Sequence, residues 1–202
     1  MSWSSSVYLP VDDSKCCIMN IITKRHLTPN PVSLSVDSSL PEVEYLTFLG
    51  VIMSRDLKWN RHVDYITKRA LKRFFILYNL RRVDCPPMLL RRCYISFIRS
   101  ILTYSYACFC NIPQYLLKKP IAIEKRAYGI IGLPYVEELS LAVVCDKTCE
   151  SLFSKIVKYQ EHPLRELFSI RSCVRATRSS CILNPPPTKT ERFRKSFIRF
   201  CK

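Results

Sequence analysis

The chain is 202 residues long, 48% apolar, and carries 32 basic against 16 acidic residues, a formal net charge of +16. The apolar share excludes wholesale disorder, and the length suits one ordinary domain or two small ones. The charge favours a polyanionic partner, nucleic acid ahead of an anionic membrane surface.

Positive charge is concentrated in two blocks. Residues 55–126 hold 16 basic and 4 acidic residues and residues 171–202 hold 9 and 1, while residues 1–54 (3 and 5) and 127–170 (4 and 6) are slightly acidic. These shifts divide the chain into residues 1–54, 55–170 and a basic tail, 171–202. The start, MSWSSSVYLPVDD, has neither the basic nor the apolar region of a secretory signal. The longest uncharged stretch, Ser100 to Leu117, is interrupted by Asn111, Pro113 and Gln114, so no membrane span is expected. The 11 cysteines then read as mostly buried thiols of an intracellular protein, cytoplasmic or nuclear. Cys16–Cys17, Cys108–Cys110 and Cys145–Cys149 lack suitably spaced histidines, and no metal site or other cofactor is expected.

In chain order, Lys15 to Thr23 alternates loosely as a strand, Pro29 to Pro31 turn, and Val32 to Val36 alternates again. Tyr45 to Met53 is a third β segment, with Gly50 as a bulge or a point of close backbone approach. Together they predict a small antiparallel sheet. Asn60 then caps a helix over Arg61 to Leu80, whose Val63, Ile66, Ala70, Phe74 and Leu77 form one apolar stripe. Pro86 and Pro87 separate it from a helix over Met88 to Phe109. There Leu90, Cys93, Phe97, Ile101 and Cys108 line the inner side, Phe97 and Ile101 lie at the bundle centre, and Arg91, Arg92 and Arg99 leave toward solvent. A third helix begins near Pro120 and covers Ile121 to Ile131, ending at Gly132. A fourth covers Cys149 to Gln160 with Leu152, Phe153, Ile156 and Val157 inward. Pro185 to Pro187 is an extended spacer before the basic, aromatic ERFRKSFIRF. The fold class is therefore α+β, mainly α: a small antiparallel sheet, a helical bundle and a basic tail.

No catalytic set stands out. His26, His62 and His162 lie in unrelated contexts, and the three glycines form no phosphate-cradling loop. Asp12–Asp13 reads as a solvated loop rather than as a two-metal carboxylate pair. The helix from Arg61 differs. Lys68, Arg69, Lys72 and Arg73 gather beside its apolar stripe, and Arg81, Arg82, Arg91 and Arg92 flank the following turn. Such a display either tracks a sugar–phosphate backbone by counterion release or is simply a solvated basic face. Trp59 and Tyr78 are stacking platforms or core anchors.

Several ordered motifs resemble the region after the catalytic palm of LINE-type (non-LTR retrotransposon) reverse transcriptases. They are Lys15, then Phe48-Leu49-Gly50-Val51, Leu57-Lys58-Trp59-Asn60-Arg61-His62-Val63, Tyr94 to Ile101 with Tyr104, Glu124-Lys125-Arg126-Ala127 with Ile131-Gly132, His162-Pro163-Leu164 and Thr177 to Ser180. The resemblance spans about residues 13–200. It implies that Lys15 is the palm-strand lysine near the leaving pyrophosphate, and that Phe48, Leu49, Gly50 and Val51 are a primer grip. Residues 60–131 would be a thumb that holds the template–primer duplex. The family's catalytic carboxylates would lie before residue 1, so the chain is expected to be a truncated remnant without polymerase activity. Its residual capacity would be sequence-independent binding of RNA or an RNA–DNA duplex through Arg61, Lys68, Arg69, Lys72, Arg73, Arg81, Arg82, Arg91 and Arg92, with no small-molecule substrate. One alternative is a helical scaffold that binds acidic proteins. Another follows from the similarity of the FLG…W segment to a domain label shared with a tRNA-modifying AlkB-like dioxygenase. His62-Val63-Asp64 has the spacing of that enzyme's iron motif, but on a helix the two side chains diverge by about 200°.

Overall fold

The computed structural model describes residues 12–21, 33–35, 38–110, 112–137, 140–170 and 183–184, and its fold is α+β, mainly α. The chain divides into two compact units, residues 1–62 and 63–202. Of the expected tail, only the strand Leu183–Asn184 lies within the described residues. The Pro185–Pro187 spacer, the Thr177 to Ser180 motif and ERFRKSFIRF lie outside them.

In the first unit the three expected segments do not form one sheet. The described part of Lys15 to Thr23 is not a strand. Asp13–Lys15 is a 3-10 turn, and Ile18 makes an isolated parallel bridge to Glu42. Asp12 explains the turn. Its Oδ1 accepts the Ser14 N–H at 3.1 Å and the Ser14 hydroxyl at 2.6 Å, a local bond set that competes with strand formation. β1 (Ser33–Ser35) pairs with β2 (Ser38–Ser39), and β3 (Tyr45–Phe48) with β4 (Val51–Ser54), both antiparallel. Gly50 is not a bulge. Leu49 and Gly50, at φ 48° and 80°, form the two-residue turn between β3 and β4, and its twist suits the paired strands.

The two helices after β4 replace the single one expected. α1 (Asn60–Lys72) and α2 (Phe74–Arg82) meet at Arg73, where Arg73 N–H bonds the Ala70 carbonyl at 2.9 Å and Ile76 N–H the Arg73 carbonyl at 3.1 Å. These i→i+3 bonds tighten the helix without ending its course. The apolar stripe of Val63, Ile66, Ala70, Phe74 and Leu77 is buried throughout, no member more than 3% exposed. At its far end Asp84 adopts φ 51°, with Asp84 N–H bonded to the Arg81 carbonyl and Cys85 N–H to that of Leu80, a Schellman closure.

The expected continuous helix from Met88 to Phe109 is instead α3 (Pro87–Cys93), a π-helix over Tyr94–Arg99, α4 (Ser100–Thr103) and α5 (Tyr106–Phe109). This changes which side chains point inward. The Ser100 N–H reaches back to the Ile95 carbonyl, i→i−5, so the turn holds one residue more than an α-turn. Downstream of it, the inward positions become Tyr94, Ile98 and Leu102, all at most 1% exposed. Phe97 is 45% exposed and Ile101 half-buried, so neither is the expected bundle centre. Cys93 is half-buried and Cys108 exposed, and of the close pairs Cys108–Cys110 and Cys145–Cys149 the other three thiols are buried. All the described cysteines are free thiols.

The π-turn also swings Arg99 inward, contrary to the expectation that it leaves toward solvent. On an α-helix Tyr94 and Arg99 diverge by about 140°. Here both reach Glu124 of α6 (Gln114–Ile131). Glu124 is wholly buried. Its Oε1 accepts the Tyr94 hydroxyl at 3.1 Å and pairs with the Arg99 guanidinium at 3.2 Å, while Oε2 accepts the Tyr135 hydroxyl at 3.2 Å and the Leu141 N–H at 2.7 Å. Burial, and then the Glu124 carboxylate, push the Tyr94 hydroxyl far above its ordinary value, so it remains a donor.

α6 begins before Pro120, not at it. Pro120 is inside the helix and buried, so packing holds a turn that proline disfavours. The helix ends at Gly132, φ 80°, and a Cβ there would lie 3.3 Å from the Arg81 guanidinium, which leaves room for glycine alone. α7 (Leu141–Lys158) starts eight residues before the expected Cys149, because Ser140 caps it by accepting the Val143 N–H at 3.4 Å. Ile156 packs with Phe168, Leu152, Phe153 and Val157. α6 packs on α2, α3 and α7, and α5 packs on α7. Among the described residues, no helix is long and apolar enough to cross a membrane.

Candidate nucleic-acid interface

The cations of the first unit are already matched. Lys15 lies 2.8 Å from Asp12, Arg55 3.5 Å from Glu42, Lys58 3.2 Å from Asp56 and Arg61 3.9 Å from Glu44. Lys15 therefore sits on an exposed turn, and its ammonium holds the Asp12 carboxyl below the usual carboxylate range. Arg61 also stacks 4.6 Å above the Tyr45 ring. Of the primer-grip-like residues, Phe48 and Leu49 are exposed and Val51 is buried.

The helical unit differs. Lys68, Arg69 and Lys72 are exposed, and the helical period puts them opposite the buried stripe rather than beside it. Arg69 reaches the Tyr65 hydroxyl at 3.4 Å. Arg73, in the tight turn, is half-buried, as is Arg91, whereas Arg82 and Arg92 are exposed. Among the described residues, Lys68, Arg69, Lys72, Arg73, Arg82, Arg91 and Arg92 have no acidic partner within ion-pair distance. Arg81 stands apart. It donates to the Ile131 carbonyl at 3.1 Å and so caps α6, satisfying an orphan carbonyl at the negative end of that helix.

Comparisons with family models, curated proteins and solved structures found no match. The reading of this surface therefore rests on its own chemistry.

The dioxygenase alternative finds no support in the geometry of its two residues. His62 is buried; its Nδ1 accepts the Ile52 N–H at 3.3 Å, and its ring lies edge-on to Trp59 with centroids 6.1 Å apart. Asp64 instead pairs with Lys119. Trp59 is thus half-buried against His62, closer to an anchor than to an open platform.

His62 gives the first unit a pH dependence. Burial lowers its pKa below the ordinary histidine value. Its stabilising contribution is present above the unfolded value of about 6.5 and is lost as pH falls through the lower folded value. Protonation also removes the acceptor lone pair that holds Ile52. Amide exchange at Ile52, normalised for the intrinsic pH effect, is expected to lose protection between pH 7.5 and pH 5, and His62→Gln should remove that dependence. Equal protection at both pH values would contradict it.

Sequence reasoning missed Phe75, Glu124 and Arg126. Phe75 had a usable signal: in the adjacent pair Phe74-Phe75, the 3–4 spacing of the stripe takes Phe74 inward and leaves Phe75 out. Phe74 is 3% and Phe75 60% exposed.

Proposed function

We propose that the helical unit binds the sugar–phosphate backbone of RNA or an RNA–DNA duplex without reading sequence. The observation that carries this reading is the contrast in pairing: every described Lys and Arg of residues 1–62 has a carboxylate within 4 Å, while the exposed cations of α1 to α3 have none. Unpaired cations keep their counterion-release energy for a polyanion. Few Asn or Gln side chains accompany them, which favours backbone tracking over base-edge readout.

The order of motifs from Lys15 to Gly132 adds the reading that the chain is the primer-grip and thumb portion of a LINE-type reverse transcriptase. On that reading it holds a template–primer and does not extend it. Purified chain with primed template, nucleotides and Mg²⁺ is expected to leave the primer unextended, because no carboxylate pair is recognisable that would bind two metal ions. Extension abolished by Asp12→Ala with Asp13→Ala would sink this assignment.

The binding itself is tested by fluorescence anisotropy with duplexes of unrelated sequence over a salt series. With Lys68, Arg69, Lys72, Arg82 and Arg92 engaged, log K against log[salt] should fall with a slope of about −4 to −5 on duplex DNA. An RNA–DNA hybrid should also bind in a steeply salt-dependent way. Absence of binding at low salt, with capture of an acidic protein instead, would favour the scaffold alternative.

A further inference from the structure

Along α1 and α2, the outer face carries Lys68, Leu71, Phe75, Tyr78 and Arg82 at steps of 3, 4, 3 and 4, one continuous helical side. The middle three are exposed hydrophobics, at 40%, 60% and 41%. Cations stand at both ends, and Lys72 is exposed one turn from Lys68.

Two contacts hold this strip beside α6. Asp64 pairs with Lys119, and the Tyr78 hydroxyl accepts from Arg126 at 3.0 Å. Asp64, Leu71 and Tyr78 are seven residues apart, as are Lys119 and Arg126, so both contacts fall on one side of each helix. Arg126 also stacks 5.3 Å over Phe74. Tyr78 is thereby fixed with its ring partly open, while Phe75 projects beside it with no core to fill, since Phe74 fills it.

An apolar strip bounded by unpaired cations fits neither bulk water nor an intact duplex. A duplex offers phosphates but hides the faces of its bases inside the stack. A single strand offers both, and base–aromatic stacking beside a cationic track is how such strands are held without sequence preference. We propose that Lys68, Leu71, Phe75, Tyr78 and Arg82 form a binding strip for a single nucleic-acid strand, with a base stacked on Phe75 and the backbone held by Lys68, Lys72 and Arg82. This rests on the phosphate-binding reading of the same face and names its substrate class. It would let the protein grip an unpaired template segment as well as a duplex.

The test compares an oligo-U, an oligo-dT, an abasic strand of equal length and charge, and a duplex, each titrated by fluorescence anisotropy against wild type, Phe75→Ala and Phe75→Leu. Phe75 is largely exposed, so neither substitution should unfold the protein, and circular dichroism checks this. Wild type should prefer the base-bearing strands to the abasic one. Phe75→Ala should weaken base-bearing strands by about 5- to 150-fold, as for one lost stack, and leave abasic and duplex binding unchanged. Phe75→Leu should resemble Phe75→Ala. Full binding by Phe75→Leu would mean that the strip is a general apolar docking surface for a protein, which overturns the proposal. Equal affinity for base-bearing and abasic strands, with duplex binding intact, would overturn this inference alone. Failure of every nucleic acid to bind at low salt would overturn the phosphate-binding reading with it. The oligo-U and oligo-dT arms show whether RNA or DNA is the better ligand.

Discussion

Replacing Glu124 with alanine is expected to destabilise the helical unit by about 3–5 kcal/mol, the range for removing one partner of a buried ion pair. The carboxylate is wholly buried and receives donors from four places: the π-turn through Tyr94 and Arg99, the segment after α6 through Tyr135, and the first turn of α7 through Leu141. Its removal takes the counter-charge from a guanidinium whose side chain is only 9% exposed. Against a typical net stability of about 5–15 kcal/mol, that loss is large enough to unfold a marginal domain. Glu124→Gln keeps the size but sets an amide N–H₂ against donors, so it should also destabilise, by less. A double replacement, Arg99→Met with Glu124→Leu, removes both charges and should recover much of the loss. Urea denaturation reads all three. A midpoint for Glu124→Ala within 0.5 kcal/mol of wild type would show that the network contributes nothing.

The second large effect is on binding. Replacing Lys68, Arg69, Lys72 and Arg73 with glutamine should lower duplex affinity about a hundredfold or more at 50 mM salt, and for all sequences alike. Three of the four are exposed, so the salt slope should flatten by about 3, from roughly −0.9 per phosphate contact. The helix should persist, because glutamine is a good helix former and the buried stripe is untouched. An unchanged slope would move the contacts elsewhere, with residues 171–202 the next to examine.

The parts of the fold that were legible in the sequence obeyed one simple period. Val63, Ile66, Ala70, Phe74 and Leu77 follow 3.6 residues per turn, and all five are buried. Pro87 and Gly132 marked a helix start and a helix end through backbone constraints that are local and therefore readable. What was not legible depended on long-range partners or a changed period. Phe97 and Arg99 exchanged their expected environments because one extra residue per turn cannot be seen in a pattern read at 3.6. Glu124 sits among Lys125 and Arg126 and looked like one more surface charge, since nothing local announces the donors of Tyr94, Arg99, Tyr135 and Leu141. Pro120 argued locally for a boundary that packing overrode. Leu49-Gly50 was read as part of a strand because leucine rarely takes a positive φ, which only the hairpin as a whole imposes. The basic interface was half legible. Composition located its cations, but only contacts separated Arg81, bound to a helix end, from Arg82, left outside.

The π-turn also sets a rule for how this chain tolerates changes in length. Removing one residue from Tyr94–Arg99 would restore an ordinary α-turn without breaking the helix. Everything upstream would then rotate by about 100° relative to everything downstream. Leu90 and Tyr94 could no longer face the core together with Ile98 and Leu102. A deletion that looks harmless in secondary structure would thus act as a frameshift of the packing, whereas single-residue insertions or deletions in the exposed turn at Val83 and Asp84 would leave that phase intact.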